Sequence, residues 1–120
     1  MGFAALRAHF DGSGERLQPP SPDAPFYVGF TSGSTGAPKG YRRTHRSWVE
    51  SFAADAQEFG LTTDDVVLAP GDLTHSLFFY ALANGLHHGA SVVIARRFRP
   101  DLVAHELTRG ATALYAVPTQ

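Results

Sequence analysis

The sequence has no cysteine among its 120 residues, and Lys39 is its only lysine. A chain without cysteine has no disulfide, no thiolate metal ligand and no cysteine nucleophile, and it suits a reducing compartment. We therefore expect a cytoplasmic protein. No apolar run approaches the roughly 18 residues that a membrane-spanning helix needs, so no membrane span is predicted. The first ten residues are too short and too polar for a secretory signal.

A charge imbalance is also missing, because 10 basic and 11 acidic residues leave a formal net charge of -1. This balance gives no general reason to expect nucleic acid or an anionic membrane as a partner. Local basic runs are interpreted as solvated faces that also attract phosphate. The first run comprises Lys39, Arg42, Arg43, His45 and Arg46, and the second comprises Arg96, Arg97 and Arg99.

Short apolar strands alternate with helices along most of the chain. Strands are predicted at 26–31, 66–69, 91–95 and 111–117, and helices from the Thr44 cap to Phe59, at 75–88 and at 101–107. Gly60 is predicted to end the first of these helices. The order predicts an α/β fold, with a mostly parallel sheet and flanking helices, over residues 26–120. Residues 1–10 are predicted to form a short helix, and 11–25 a flexible linker rich in proline and glycine.

Histidine is frequent enough to raise the question of a metal site. His75 and His87 would lie 12 residues apart on one helix, about 120° apart around its axis, so they share no face. No carboxylate stands four residues from either of them, and we predict no metal site. Glu50 and Asp55 are expected to lie on a solvated helix face. Whether the aromatic residues 78–80 belong to the core or to a pocket stays open.

Residues 32–40 form a glycine-rich loop directly after the first predicted strand. Three glycines permit a tight turn in which backbone N–H groups and hydroxyls converge on an anion, and Lys39 adds a mobile charge for phosphate oxygens. The loop is not a Walker A motif, because Pro38 precedes Lys39 and Gly40 follows it. It is not a nucleophile elbow, because Ser32 stands where that motif needs glycine. An ordinary strand-to-helix turn remains an alternative.

The run from Phe30 to Gly40, Phe-Thr-Ser-Gly-Ser-Thr-Gly-Ala-Pro-Lys-Gly, resembles the phosphate-binding signature of the AMP-forming adenylating superfamily. The resemblance continues through Thr44-His45, Pro70, His75 and Gly89-Ala90 to the final Val-Pro-Thr, and covers about residues 25–120. Its later part is more similar to acyl-CoA synthetases than to peptide-synthetase domains. The resemblance implies that residues 26–120 are part of the large adenylation domain of such an enzyme.

In this family the loop holds the β- and γ-phosphates of ATP while a substrate carboxylate attacks the α-phosphorus. The resemblance thus implies a ligase that converts a fatty or aryl acid to an acyl-adenylate and then to an acyl-CoA thioester, with ATP, Mg²⁺ and CoA. It places His75 near the acyl or aryl pocket, although His-Ser-Leu-Phe replaces the usual His-x-x-Gly. It implies phosphate-binding roles for Thr31, Ser32, Gly33, Ser34, Thr35, Gly36 and Lys39.

Other parts of the family's machinery do not occur in these 120 residues. The resemblance places the adenine-binding segment with its Mg²⁺ carboxylate, the ribose-binding aspartate and the catalytic lysine of the C-terminal domain beyond Gln120. We therefore expect no catalytic residue and no metal ligand in this chain, and no activity from the chain alone. A phosphate- or nucleotide-binding module without catalysis is the alternative function.

Overall fold

The computed structural model describes residues 18–31 and 37–118. These residues form an antiparallel hairpin and a three-stranded parallel sheet, with helices packed on both. The α/β class with a parallel sheet and flanking helices is confirmed. Along the chain the elements are β1 (Pro25–Thr31), β2 (Lys39–Thr44), α1 (His45–Phe59), β3 (Val66–Ala69), α2 (Ser76–His87), β4 (Ser91–Ile94), α3 (Pro100–Thr108) and β5 (Ala113–Leu114).

The first strand differs from its prediction, because β1 does not belong to the parallel sheet. It pairs antiparallel with β2, from Pro25 opposite Thr44 to Thr31 opposite Lys39. The strand itself is confirmed, but its predicted burial was wrong, because Gly29 is its only buried residue and the side chain of Phe30 is 72% exposed. The strand β2 was missed, since Lys-Gly-Tyr-Arg-Arg-Thr lacks the apolar run that marks a strand in a sequence.

The predicted ends of α1 are confirmed. The Thr44 hydroxyl accepts a hydrogen bond from the Ser47 N–H at 3.2 Å, which satisfies a free donor of the first turn. Gly60 adopts a left-handed conformation with φ 68° and donates its N–H to the Ala56 carbonyl. Trp48 and Phe52 of the apolar stripe are buried, whereas Phe59, predicted in the same stripe, is 77% exposed.

The core lies where α2 packs on the parallel sheet. The central strand is β3, with β4 and β5 on either side, and its residues 67–69 are fully buried. Helix α2 comes close to the sheet at Gly85, where a Cβ atom would lie 2.6 Å from Cγ2 of Val92. The predicted strand at 111–117 is paired over two residues only. Leu86, predicted among the apolar residues of α2, is 61% exposed.

The predictions for the first part of the chain lie mostly outside the described residues. This applies to the helix at 1–10 and to most of the linker at 11–25. In the part of the chain that the structure describes, no helix is long and apolar enough to cross a membrane.

Candidate functional site

The tip of the hairpin carries two of the residues predicted to bind phosphate. Thr31 ends β1 and Lys39 begins β2, the two residues are paired, and the Thr31 hydroxyl donates to the Lys39 carbonyl at 3.4 Å. Both residues are exposed. The two ion pairs found within 18–31 and 37–118 involve neither of them. The ammonium of Lys39 therefore projects from the hairpin end without a carboxylate from this part of the chain.

The middle of the predicted phosphate loop lies outside the described residues. Ser32, Gly33, Ser34, Thr35 and Gly36 belong to this group, and their roles stay predictions. The ends of the loop do correct one expectation. The loop joins two antiparallel strands, and not a parallel strand to a helix, so pairing of Thr31 with Lys39 holds its two ends side by side.

His75 stands at the start of α2, just beyond the carboxyl end of β3. The Asp72 side chain accepts the Thr74 N–H at 2.9 Å, which lowers the pKa of Asp72, and the His75 N–H donates to the Asp72 carbonyl at 3.0 Å. This turn fixes the backbone of His75. Its ring is exposed, makes no capping hydrogen bond, and meets the Phe78 ring edge-on at 6.3 Å between centroids.

Aromatic contacts bring the start of α2 against the hairpin. The Phe79 ring stacks on Tyr27 of β1 with centroids 5.6 Å apart, and Trp48 of α1 meets Phe79 edge-on at the same distance. Phe26 packs against Trp48 at 5.1 Å. These rings hold β1, α1 and α2 together, and they place His75 on the helix that packs against the strand leading to Thr31.

A cavity of about 260 Å³ lies where the hairpin meets the two helices. Arg43 of β2 folds over it onto α1 and donates to the Ser47 carbonyl at 2.7 Å and to the Ser51 hydroxyl at 3.0 Å. Its guanidinium carbon lies 5.7 Å from the centre of the Trp48 ring. The basic run around Arg43 predicted a solvated face, and for Arg43 that prediction was wrong. The cavity is lined by Tyr27, Tyr41, Arg43, Trp48, Ser76, Leu77 and Tyr80.

Asp55 is a second polar residue that the sequence analysis placed wrongly on a solvated face. Its carboxylate accepts hydrogen bonds at 3.2 Å from both the Asn84 amide and the Tyr115 hydroxyl. Asn84 is fully buried and also donates to Tyr115 at 2.8 Å. Burial, and then the hydrogen bond with Asp55, raise the pKa of the Tyr80 hydroxyl. The partners of Asp55 are 29 and 60 residues away in sequence, so no local pattern signals this network.

Residues 18–31 and 37–118 also contain histidine, aspartate and glutamate side chains that are potential metal ligands. In these segments no group of three or more histidine, aspartate or glutamate side chains is placed to hold a metal ion. The described part of the hairpin therefore offers donors and positive charge, and no carboxylate cluster for a cation.

Comparison with known proteins agrees with this geometry. A family model described as AMP-binding enzyme matches residues 4–120. An uncharacterized acyl-CoA ligase of Bacillus subtilis is 46% identical over 99 residues, which are 82% of this chain and 21% of that protein. A sulfoacetate-CoA ligase of Cupriavidus necator is 41% identical over 118 residues, or 96% of this chain and 23% of that protein.

A solved structure supports the same relationship in three dimensions. The o-succinylbenzoate coenzyme A synthetase of Bacillus subtilis, in complex with ATP and a magnesium ion, superimposes with a TM-score of 0.77 at 31% identity, over 88% of this chain and 23% of that chain. The chain thus spans about a fifth of the length of the curated relatives it matches. The match over nearly all of its residues shows that the chain belongs to the AMP-binding enzyme family.

Proposed function

We propose that this chain is the phosphate-binding part of a ligase that activates a carboxylic acid with ATP and transfers it to the thiol of CoA. The observation that carries the proposal is the position of Lys39. Lys39, the only lysine of the chain, makes no ion pair with residues 18–31 or 37–118, and it stands at one end of the segment that matches the family's phosphate signature. The Thr31 hydroxyl stands at the other end.

The donor set suits the polyphosphate of ATP. The hydroxyls of Ser32, Ser34 and Thr35, the N–H groups of Gly33 and Gly36, and the Lys39 ammonium are hydrogen-bond donors, and phosphate oxygens are acceptors. The Thr31 hydroxyl would join them by turning from its long contact with the Lys39 carbonyl. The acid's carboxylate displaces pyrophosphate from the α-phosphorus, and donors held on the leaving oxygens stabilise the charge that develops on them. The chain's part in this step is to bind and orient the β- and γ-phosphates.

The fit for magnesium is different. Mg²⁺ prefers oxygen ligands such as carboxylates, and the described segments contain no cluster of them. When bound with ATP, Mg²⁺ would neutralise phosphate charge, and we assign no residue of this chain to hold it. A relative of known structure binds ATP together with a magnesium ion.

His75 is proposed to border the pocket for the acid, which we place in the fatty or aryl class. Its exposed ring at the start of α2 supports this role. Of the two similar ligases described above, one is named for its acid, sulfoacetate, and the name of the other specifies no acid. These names therefore do not define the acid for this chain.

Pyrophosphate binding to the Lys39→Ala variant tests the proposal. Loss of one charge-assisted contact should raise the dissociation constant for pyrophosphate at least about tenfold, measured by isothermal titration calorimetry. Arg42→Ala is the matched control, since Arg42 is an exposed cation three residues further along β2. It should weaken binding by less than about threefold, as expected for screened surface charge. Equal losses in both variants would contradict the proposed role of Lys39.

A further inference from the structure

The cavity between the hairpin and the two helices, which we call the Arg43 cavity, is lined by groups that donate hydrogen bonds. Tyr27, Tyr41, Tyr80 and Ser76 contribute hydroxyls, and no aspartate or glutamate lines it. The Tyr27 hydroxyl interacts through hydrogen bonds with the hydroxyls of Tyr41 and Ser76. Burial is the main reason why the pKa of Tyr27 is raised. Such a wall suits a ligand that supplies acceptors.

The charge in this wall has no counterion within the described segments. Arg43 is half-buried, and its Nε and Nη2 atoms donate to neutral oxygens of Ser47 and Ser51. Neither ion pair found in those segments includes Arg43. Asp55, the carboxylate that acts on Tyr80, is already bonded to Asn84 and Tyr115. A half-buried cation held in place without a carboxylate favours binding of an external anion.

Trp48 supplies a reporter group in the wall of the cavity. Its side chain is 3% exposed, and its indole N–H is buried without a hydrogen-bond partner in the described part of the chain. Leaving such a donor unsatisfied costs about 1–3 kcal/mol. The Trp48 ring lines the cavity beneath the Arg43 guanidinium, whereas its Nε1 atom is closed to solvent. The indole therefore reports on what enters the cavity and is not itself assigned as a ligand donor.

The position along the hairpin indicates which part of a substrate would reach the cavity. Arg43 is four residues from Lys39 on β2, which is about 13 Å along a strand. Ser76 of the cavity wall directly follows His75. The cavity therefore borders the first turn of the helix that begins after His75, without His75 in its lining, and it lies far enough from the phosphate end for a ring or short chain to lie between them.

We propose that the Arg43 cavity binds a second carboxylate of the acid that the ligase activates, so that the substrate is a dicarboxylic acid and Arg43 selects it. This proposal rests on the proposed function for the identity of the bound molecule as substrate. The aromatic walls formed by Tyr27, Trp48 and Tyr80 favour an aryl spacer between the two carboxylates. Arg43 would pair with the carboxylate that does not react.

The single indole group makes a direct test possible, because Trp48 is the only tryptophan of the chain. The ¹⁵N-labelled chain is titrated with benzene-1,4-dicarboxylate, while its indole N–H signal is followed by NMR. The matched ligand is 4-methylbenzoate, which replaces the second carboxylate with a methyl group. We expect a saturable shift of the indole signal with the dicarboxylate, and binding at least about tenfold weaker for the monoacid.

Two substitutions separate Arg43 from general charge. Arg43→Met keeps an unbranched side chain over Trp48 and removes the guanidinium, so affinity for the dicarboxylate should fall about tenfold. Arg42→Met removes the same charge from an exposed neighbour and should change affinity less than twofold. If Arg43→Met does not fold, Tyr27→Phe takes its place in the test. This variant should weaken binding of the dicarboxylate more than binding of the monoacid.

Three results would overturn the proposal: equal affinity for the two ligands, equal losses in the Arg43 and Arg42 variants, or an indole signal that the dicarboxylate does not move. Each would leave Arg43 as a tether between β2 and α1 only. A pyrophosphate titration of the same sample tests the phosphate loop separately. Dicarboxylate binding without pyrophosphate binding would refute the proposed function and keep the anion site, and the reverse result would refute the anion site alone.

Discussion

At the scale of single residues, the missing side chain of Gly85 decides how closely α2 approaches the parallel sheet. Glycine normally weakens a helix by about 0.5–1 kcal/mol relative to alanine. At Gly85, however, an added Cβ would lie 2.6 Å from Cγ2 of Val92 and 3.3 Å from Cγ2 of Val67. The overlap with the sheet outweighs the gain in helix propensity, because β-branched side chains in a packed core cannot turn aside without strain.

We therefore expect Gly85→Ala to lower the free energy of unfolding by about 1–3 kcal/mol, measured by urea denaturation. The Val92→Ala background supplies the control, because it removes the methyl group that the new Cβ would strike. In that background the cost of Gly85→Ala should largely disappear. A variant more stable than the parent chain would show that α2 and the sheet are not in tight contact at this point.

Lys39 and Arg43, two cations of β2, differ in how much of their role the sequence could predict. The phosphate-binding role of Lys39 is predicted from its place in a continuous signature, and in the hairpin its side chain is exposed and makes no ion pair with the described residues. Arg43 looked like another member of a basic run. Its contacts with Ser47, Ser51 and Trp48 depend on the angle at which β2 meets α1, which no local pattern specifies.

At the scale of elements, three separate segments meet at the polar network of Asp55, Asn84 and Tyr115. The network joins α1 to α2 and to the residue that follows β5. Tyr80 lies beside it, and burial and the hydrogen bond with Asp55 both favour its neutral form. The Asn84 amide nitrogen and the Tyr115 hydroxyl are hydrogen-bonded in this network, whereas Oδ1 of Asn84 is buried without a partner among the described residues. The hydrogen bonds that do form favour one arrangement of the helices over the sheet.

This arrangement predicts a loss of stability at alkaline pH. The pKa of Tyr80 is raised by folding, so above its ordinary value of 10.0 the unfolded chain loses the phenolic proton before the folded chain does. The free energy of unfolding should be constant with respect to this group below about pH 9 and should fall as the pH rises through 10. Urea denaturation between pH 8 and pH 11 measures the slope.

Tyr80→Phe should make that slope shallower, because it removes one of the groups that ionise more easily after unfolding. Part of the slope should persist, since burial also raises the pKa values of Tyr27 and Tyr115. An identical alkaline slope in the parent chain and in Tyr80→Phe would contradict the assignment to Tyr80.

At the scale of the whole molecule, the relation to longer ligases decides what the chain can do alone. It covers 21% of one relative and 23% of another. Adenylate formation needs phosphate binding together with adenine, ribose and metal ligands on the same ATP molecule. Over the described residues only the first of these has a candidate site, and no metal-ligand cluster is found there.

We accordingly expect no ATP–pyrophosphate exchange from the 120-residue chain with a panel of aliphatic, aryl and dicarboxylic acids. A full-length relative, assayed with its own acid, serves as the positive control. Exchange clearly above the background of a protein-free reaction would show that these 120 residues already assemble a complete adenylating site.

The sequence by itself determined the features that depend on neighbouring residues. These include the phosphate signature, the cap at Thr44, the glycine end of α1 at Gly60, and the α/β order of most elements. Each depends on contacts within a few positions of the chain, so its pattern can be read locally.

The tertiary structure decided the rest. It paired β1 with β2 and not with the parallel sheet, drew Asp55 into a network with Asn84 and Tyr115, and turned Arg43 over Trp48 to form a cavity lined by donors. The physical reason is that a strand partner or a buried charge is selected by the free energy of contacts made across the whole fold. Residues up to 60 positions apart in sequence share one hydrogen bond here.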